Sequence, residues 1–117
     1  MTIGQIAEKL NLTFLTRAGG ANREVTCGYT GDLLSWVMGR AQADSAWITV
    51  MGNINSVAVA VLADVACIIL AEGAALDADA REKAEAQEVI VLSGSQSAFE
   101  LSVGIYGLLY GETENKL

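Results

Sequence analysis

The sequence predicts an α/β fold: one layered domain, residues 1–117, with a mostly parallel sheet of about five strands flanked by helices. Three observations predict it. Short β-rich runs recur about twenty residues apart and are apolar on both faces, as strands of a parallel sheet covered on two sides must be. Segments of helical character lie between them, the spacing of βαβ crossovers. The junctions after the runs are rich in glycine and small polar residues, which turns and helix caps require.

The elements follow in order. Thr2-Ile3-Gly4-Gln5 is a capping-box arrangement, and Ile3, Ile6, Ala7 and Leu10 recur at helical spacing until Asn11. Leu12–Thr16 reads as a strand and Gly19-Gly20 as a turn. Further strands are expected at Val25–Tyr29, Ala46–Met51, Ala66–Ala71 and Val89–Leu92. Helices are expected at Leu33–Arg40, Ile54–Ala63 and Ala78–Gln87. In the last of these Asp77 is the expected cap. A final helix, Ala98–Leu109, opens on a second capping box, Ser97-Ala98-Phe99-Glu100, and residues 110–117 read as a polar, frayed tail.

Charge and composition narrow the function. The net charge is −7, and residues 1–50 are balanced, so the whole excess lies in the second half. An acidic chain without a Lys or Arg cluster repels phosphate backbones, which argues against a nucleic-acid partner. The longest apolar stretch, Val57–Ala71, is broken by Asp64 and is too short to span a bilayer, so no membrane role is expected. Cys27 and Cys67 stand apart without metal-ligand spacing, and the chain contains no histidine. They read as buried thiols in a cytoplasmic protein, with no metal and no cofactor called for.

Apolar residues make up 52% of the chain, high for a domain of this size, so part of the surface is expected to be covered by a second subunit. In the helix Ile54–Ala63, Ile54, Val57, Ala58, Val61 and Leu62 share the face expected to cover the sheet. The opposite face carries Val59, Ala60 and Ala63 without a charge and is the expected homodimer interface.

Ligands of open parallel sheets gather where strands end and helices begin. Those junctions supply Thr30, Gly31, Asp32, Asn53, Asn55, Glu72, Gly73, Ser93 and Ser95 as candidate ligand-binding residues. Backbone amides and helix N-termini there would favour a small anionic metabolite. The same residue types also serve turns and caps with no ligand at all. Asp32 and Glu72 are the rim's only acids and could do acid–base work or hold a divalent ion. No phosphate-cradling loop and no histidine-based nucleophile is present, so no catalytic residue is assigned.

The order of these motifs, Thr30-Gly31-Asp32, then Glu72-Gly73-Ala74, Asp77 and the Val89–Ser93 strand, resembles the DRTGG domain over essentially the whole chain. Gly31-Asp32 is followed by Leu33-Leu34 where the family has Arg-Thr, and Glu72 and Ala74 flank Gly73 where it has Thr and Gly. The resemblance implies an α/β accessory domain, often dimerising. Such domains are fused to CBS domains and to phosphotransacetylase-type enzymes, are similar to the N-terminal domain of HPr kinase, and have no catalysis of their own. Three readings stand: a homodimeric regulatory module that senses a metabolite or docks on a partner enzyme, a purely structural interaction protein, and a small metal-assisted enzyme using Asp32 and Glu72.

Overall fold

The structure, a computed structural model, describes residues 1–17 and 19–114, with side chains through Gly111. In chain order the elements are α1 (Ile3–Lys9), β1 (Thr13–Phe14), β2 (Cys27–Thr30), α2 (Leu34–Arg40) and β3 (Ser45–Thr49). They continue as α3 (Ile54–Ala63), β4 (Cys67–Leu70), α4 (Ala78–Ala86), β5 (Val91–Ser93) and α5 (Ala98–Glu114). The sheet runs in the order β1-β5-β4-β3-β2, with β2 to β5 parallel and β1 antiparallel on β5. The expected α/β architecture with a five-stranded, mostly parallel sheet is what the chain adopts.

The topology follows from handedness. From β2 to β5 each crossover steps one strand in the same direction, and right-handed crossovers then place every connecting helix on one face. Strand alternation divides the core accordingly. Trp47, Ile68, Leu70 and Val91 meet α2, α3 and α4, while Ala46, Ile48, Cys67, Ile69 and Leu92 meet α1 and α5. After β5 the chain returns as α5 across the other face to reach β2 and β3.

Both capping boxes form. Thr2 Oγ1 accepts from the Gln5 amide at 3.2 Å and the Gln5 side chain accepts from the Thr2 amide at 2.9 Å. The Ser97 and Glu100 pair repeats the arrangement at 3.1 and 3.0 Å. Asp77 departs from expectation: its side chain caps nothing, and its amide instead donates to the Gly52 carbonyl at 2.8 Å. The final helix runs on to Glu114 through a non-helical Gly111 (φ 71°), and residues 115–117 of the expected tail lie outside the described residues.

The orientation of α3 is a correction. Ser56, Val57, Val59 and Ala60 face the sheet, whereas Ile54, Val61 and Leu62 are exposed. Val59 and Ala60 retain 5% and 2% of their surface, and half-buried Ala63 packs against the same core, so this trio is not a free dimer surface. A helix apolar on both sides has no strong preference of its own for which side turns inward. Its rotation is decided by packing between α2 and α4, which flank it.

Candidate functional site

The strand-end rim is largely self-satisfied. Trp47, buried on β3, donates its indole N–H to the Gly31 carbonyl at 2.9 Å, and the Gly31 amide donates to Ile48 O at 3.1 Å. Asp32 is not a helix cap. Its Oδ1 accepts from Thr49 Oγ1 at 2.6 Å and from the Val50 amide at 3.1 Å, clamping the end of β2 to that of β3. Asn53 caps α3 by accepting from the Ser56 amide at 3.0 Å, while Asn55 is exposed in its first turn.

Further along the rim, the Glu72 amide donates to Gln96 O and the Gly73 amide to Gly94 O, both at 2.8 Å. Glu72 and Gly73 both adopt positive φ, 60° and 65°, so they make a left-handed turn that glycine relieves at only one position. Ser93 sits in β5 opposite Thr13, and Ser95 is exposed in the loop beyond. The amides of Gly31, Glu72 and Gly73, expected to meet an anion, are therefore spent within the fold. Asp32 and Glu72 follow strands separated by β3, about 10 Å apart at the strand spacing. Among the described residues no three Cys, Asp or Glu side chains gather into a metal-ligand cluster.

The opposite rim is structural. Arg23 Nη2 binds Asp44 Oδ1 at 2.8 Å and Asp64 Oδ1 at 3.1 Å, and also donates to the Asp64 carbonyl at 2.8 Å. Asp44 and Asp64 both hold left-handed turns, φ 66° and 55°, which this one side chain braces. Partial burial pulls the guanidinium pKa down, but the hydrogen bonds and charges of the two carboxylates outweigh it and hold it above its ordinary value. Burial pushes the Cys67 thiol up to about 12, a shift that nearby Arg23 opposes, so this cysteine is an inert core group. Cys27 is only half-buried.

A cavity lies where the residues expected from the sequence include only Thr30. A groove of about 320 Å³ opens between β2 and α5, lined by Gly28, Thr30, Ile48, Ser102, Ile105, Tyr106, Leu109 and Tyr110. Ser102 Oγ donates to Ala98 O at 2.7 Å, so the 2.7 Å contact between Thr30 and Ser102 has Thr30 as donor. Tyr106 and Tyr110 pack in a tilted contact, ring centroids 4.7 Å apart and planes inclined at 60°. No lining residue is charged. The missed signals were Gly28 in mid-strand, where a side chain would meet Ile105, and the i,i+4 tyrosine pair.

No protein-family model matches the chain, and no curated protein matches it. Among solved structures it is similar to the CBS and DRTGG domains of the regulatory region of Clostridium perfringens pyrophosphatase, complexed with the activator diadenosine tetraphosphate. The TM-score is 0.67 at 12% identity, over 89% of this chain and 45% of that one. The likeness supports a DRTGG-like fold. At this identity it speaks to the fold alone, and this chain spans less than half the length of its neighbour. Among the described residues no helix is long and apolar enough to cross a membrane.

Proposed function

We propose that this chain is a non-catalytic regulatory module that binds a small molecule in the groove between β2 and α5 and works as a homodimer docked on a metabolic enzyme. The groove is the single observation that carries the reading. It is a concave, mainly apolar site with a few hydroxyl groups, the ordinary make-up of a ligand pocket. The similar pyrophosphatase region is regulatory and holds a nucleotide activator, which favours the same class of role here.

The proposal differs from the expected anion site in one respect. Neither the groove nor the rim residues Thr30 to Asp32 and Glu72 to Ala74 include a Lys or Arg, so the part of a ligand that enters is uncharged and flat enough to lie against Tyr106. Any phosphate remains outside, in solvent. The lone pairs of Thr30 Oγ1 and the two phenol hydroxyls would supply its polar contacts.

The test is calorimetric titration with adenosine and with diadenosine tetraphosphate, alongside native mass spectrometry of the purified protein. Tyr106→Ala should weaken binding about tenfold, the loss of one stacking contact worth roughly 1–1.5 kcal/mol. Asp32→Ala, which disturbs only the rim, should leave it unchanged. A protein that binds neither probe at millimolar concentration and carries no releasable mass would sink the reading.

A further inference from the structure

The geometry points to the open edge of β2 as the surface that receives a second copy of this chain, strand against strand. This deepens the assembly half of the proposed function and is independent of which ligand the groove takes.

β2 ends the sheet. The Gly31 amide turns inward to Ile48 O, so strand alternation turns the N–H and C=O groups of Gly28 and Thr30 outward. Both residues are exposed. Proteins usually protect such an edge with Lys, Pro or a covering segment, because it otherwise templates pairing with another strand. Residues 25–31, Val-Thr-Cys-Gly-Tyr-Thr-Gly, include none of those residues.

Apolar groups flank the edge on both sheet faces. On one side α5 presents Phe99, Val103, Tyr106 and Tyr110 as a stripe recurring every three or four residues, with Phe99 77% exposed. On the other, α2 leaves Leu33 and Trp36 more than half exposed. Six of the chain's large exposed hydrophobic residues belong to these two helices and their caps; α5 packs on β2 and β3, and α2 follows β2 directly in the chain.

Charge selects the occupant. Across residues 25–40 the charged side chains are Asp32 and Arg40, the latter lying over the Trp36 ring at 3.7 Å, and across 97–111 the one charged side chain is Glu100. The acidic excess of the chain lies elsewhere, including Asp79, Glu82, Glu85 and Glu88 on and beside α4. Two copies carrying −7 each repel through most approaches and least through this one. A basic partner would find little to attract it here, whereas a second β2 needs no charge.

An antiparallel pair centred on Tyr29 sets Gly28 opposite Thr30 of the second copy, and each outward N–H meets a carbonyl. The contact is isologous, so it closes as a dimer and leaves no unpaired β2, while the two-residue β1 remains the outer edge at each end of the joined sheet. It also walls the open side of the Gly28–Tyr106 groove.

Sedimentation velocity without ligand should give twice the 12.3 kDa chain mass. Thr30→Pro removes an outward N–H, and Val103→Glu charges the α5 stripe; each should weaken the dimer by about tenfold or more. Leu62→Lys, on the far helix α3, should leave it intact. Should Thr30→Pro fail to fold by circular dichroism, Val103→Glu and amide exchange decide. In the wild type, exchange at Gly28 and Thr30 should slow as concentration rises. A monomer at every concentration, a dimer indifferent to Val103→Glu, or exchange at these amides independent of concentration would overturn the inference. Calorimetry on the wild type and on Val103→Glu, which lies outside the groove lining, separates this from the ligand reading. A wild-type protein that binds either probe yet sediments as a monomer refutes only the β2 interface, and a Val103→Glu monomer that still binds leaves both readings standing.

Discussion

Individual residues decide how the strand ends are finished. Asp32 looks like a helix cap in sequence, yet its carboxylate ties Thr49 Oγ1 and the Val50 amide, because β3 ends beside it. Gly52 is required by close approach, since a Cβ there would run into the Ala75 carbonyl. Cys67 was legible as a buried thiol from its apolar run, and burial sets its pH behaviour. Its ordinary value near 9 holds in the unfolded chain and rises to about 12 in the fold. The neutral thiol is thus favoured by folding, so its contribution is whole below 9 and is lost as pH rises from about 9 to about 12. Denaturant melts should therefore show stability falling by up to about 1.4 kcal/mol per pH unit across that window, with Cys67→Val removing the slope. A wild-type profile that stays flat in that window would mean the thiol is reached by water.

At the scale of elements, local signals were the most legible. The capping boxes at Thr2 and Ser97 placed two helix starts correctly, because side chain and amide lie three residues apart and need nothing distant. The bounds of α3 also match expectation, Ile54 to Ala63. Its facing does not, since Val, Ala and Leu occupy both sides and only packing with the neighbouring elements, α2 and α4 on its flanks and the β3 and β4 side chains of the same core, can choose between them. The reversal makes a sharp prediction. Val59→Lys would bury an unpaired ammonium and should leave the protein largely unfolded, at a cost of about 3–5 kcal/mol. Leu62→Lys, at a site 69% exposed, should change the melting midpoint hardly at all. Equal effects in thermal melts would restore the opposite orientation.

Over the whole molecule, stability should be graded from the sheet centre outward. β4 is buried along its length and pairs on both sides, with helices above and below. β1 has two exposed residues and one neighbour. Hydrogen exchange should accordingly be slowest at the amides of Ile68 and Ile69 and fast at β1, since central strands open only with global unfolding. Uniform protection across all five strands would contradict this layering. The acidic excess acts at this scale as well, limiting the approaches through which two copies can meet.

The order of the strands in the sheet came from the structure, but by itself the sequence determined the class of fold, about five strands with their places along the chain, and most helix starts. These depend on periodicity and on contacts within one turn. Of the candidate site the sequence named Thr30 only as one of the residues at strand ends, and the structure shows that Thr30 also lines the groove. The sequence could not tell that the amides of Gly31, Glu72 and Gly73 would be consumed by Ile48, Gln96 and Gly94, because those partners are distant in the chain. Only the tertiary structure decided which side of α3 turns inward. Only it brought Gly28 of β2 beneath Tyr106 of α5, a pairing of residues 78 positions apart that follows from α5 crossing back over the sheet. The groove exists because the one face left uncovered by right-handed crossovers had to be closed by the last helix, and that closure is incomplete beside the edge strand.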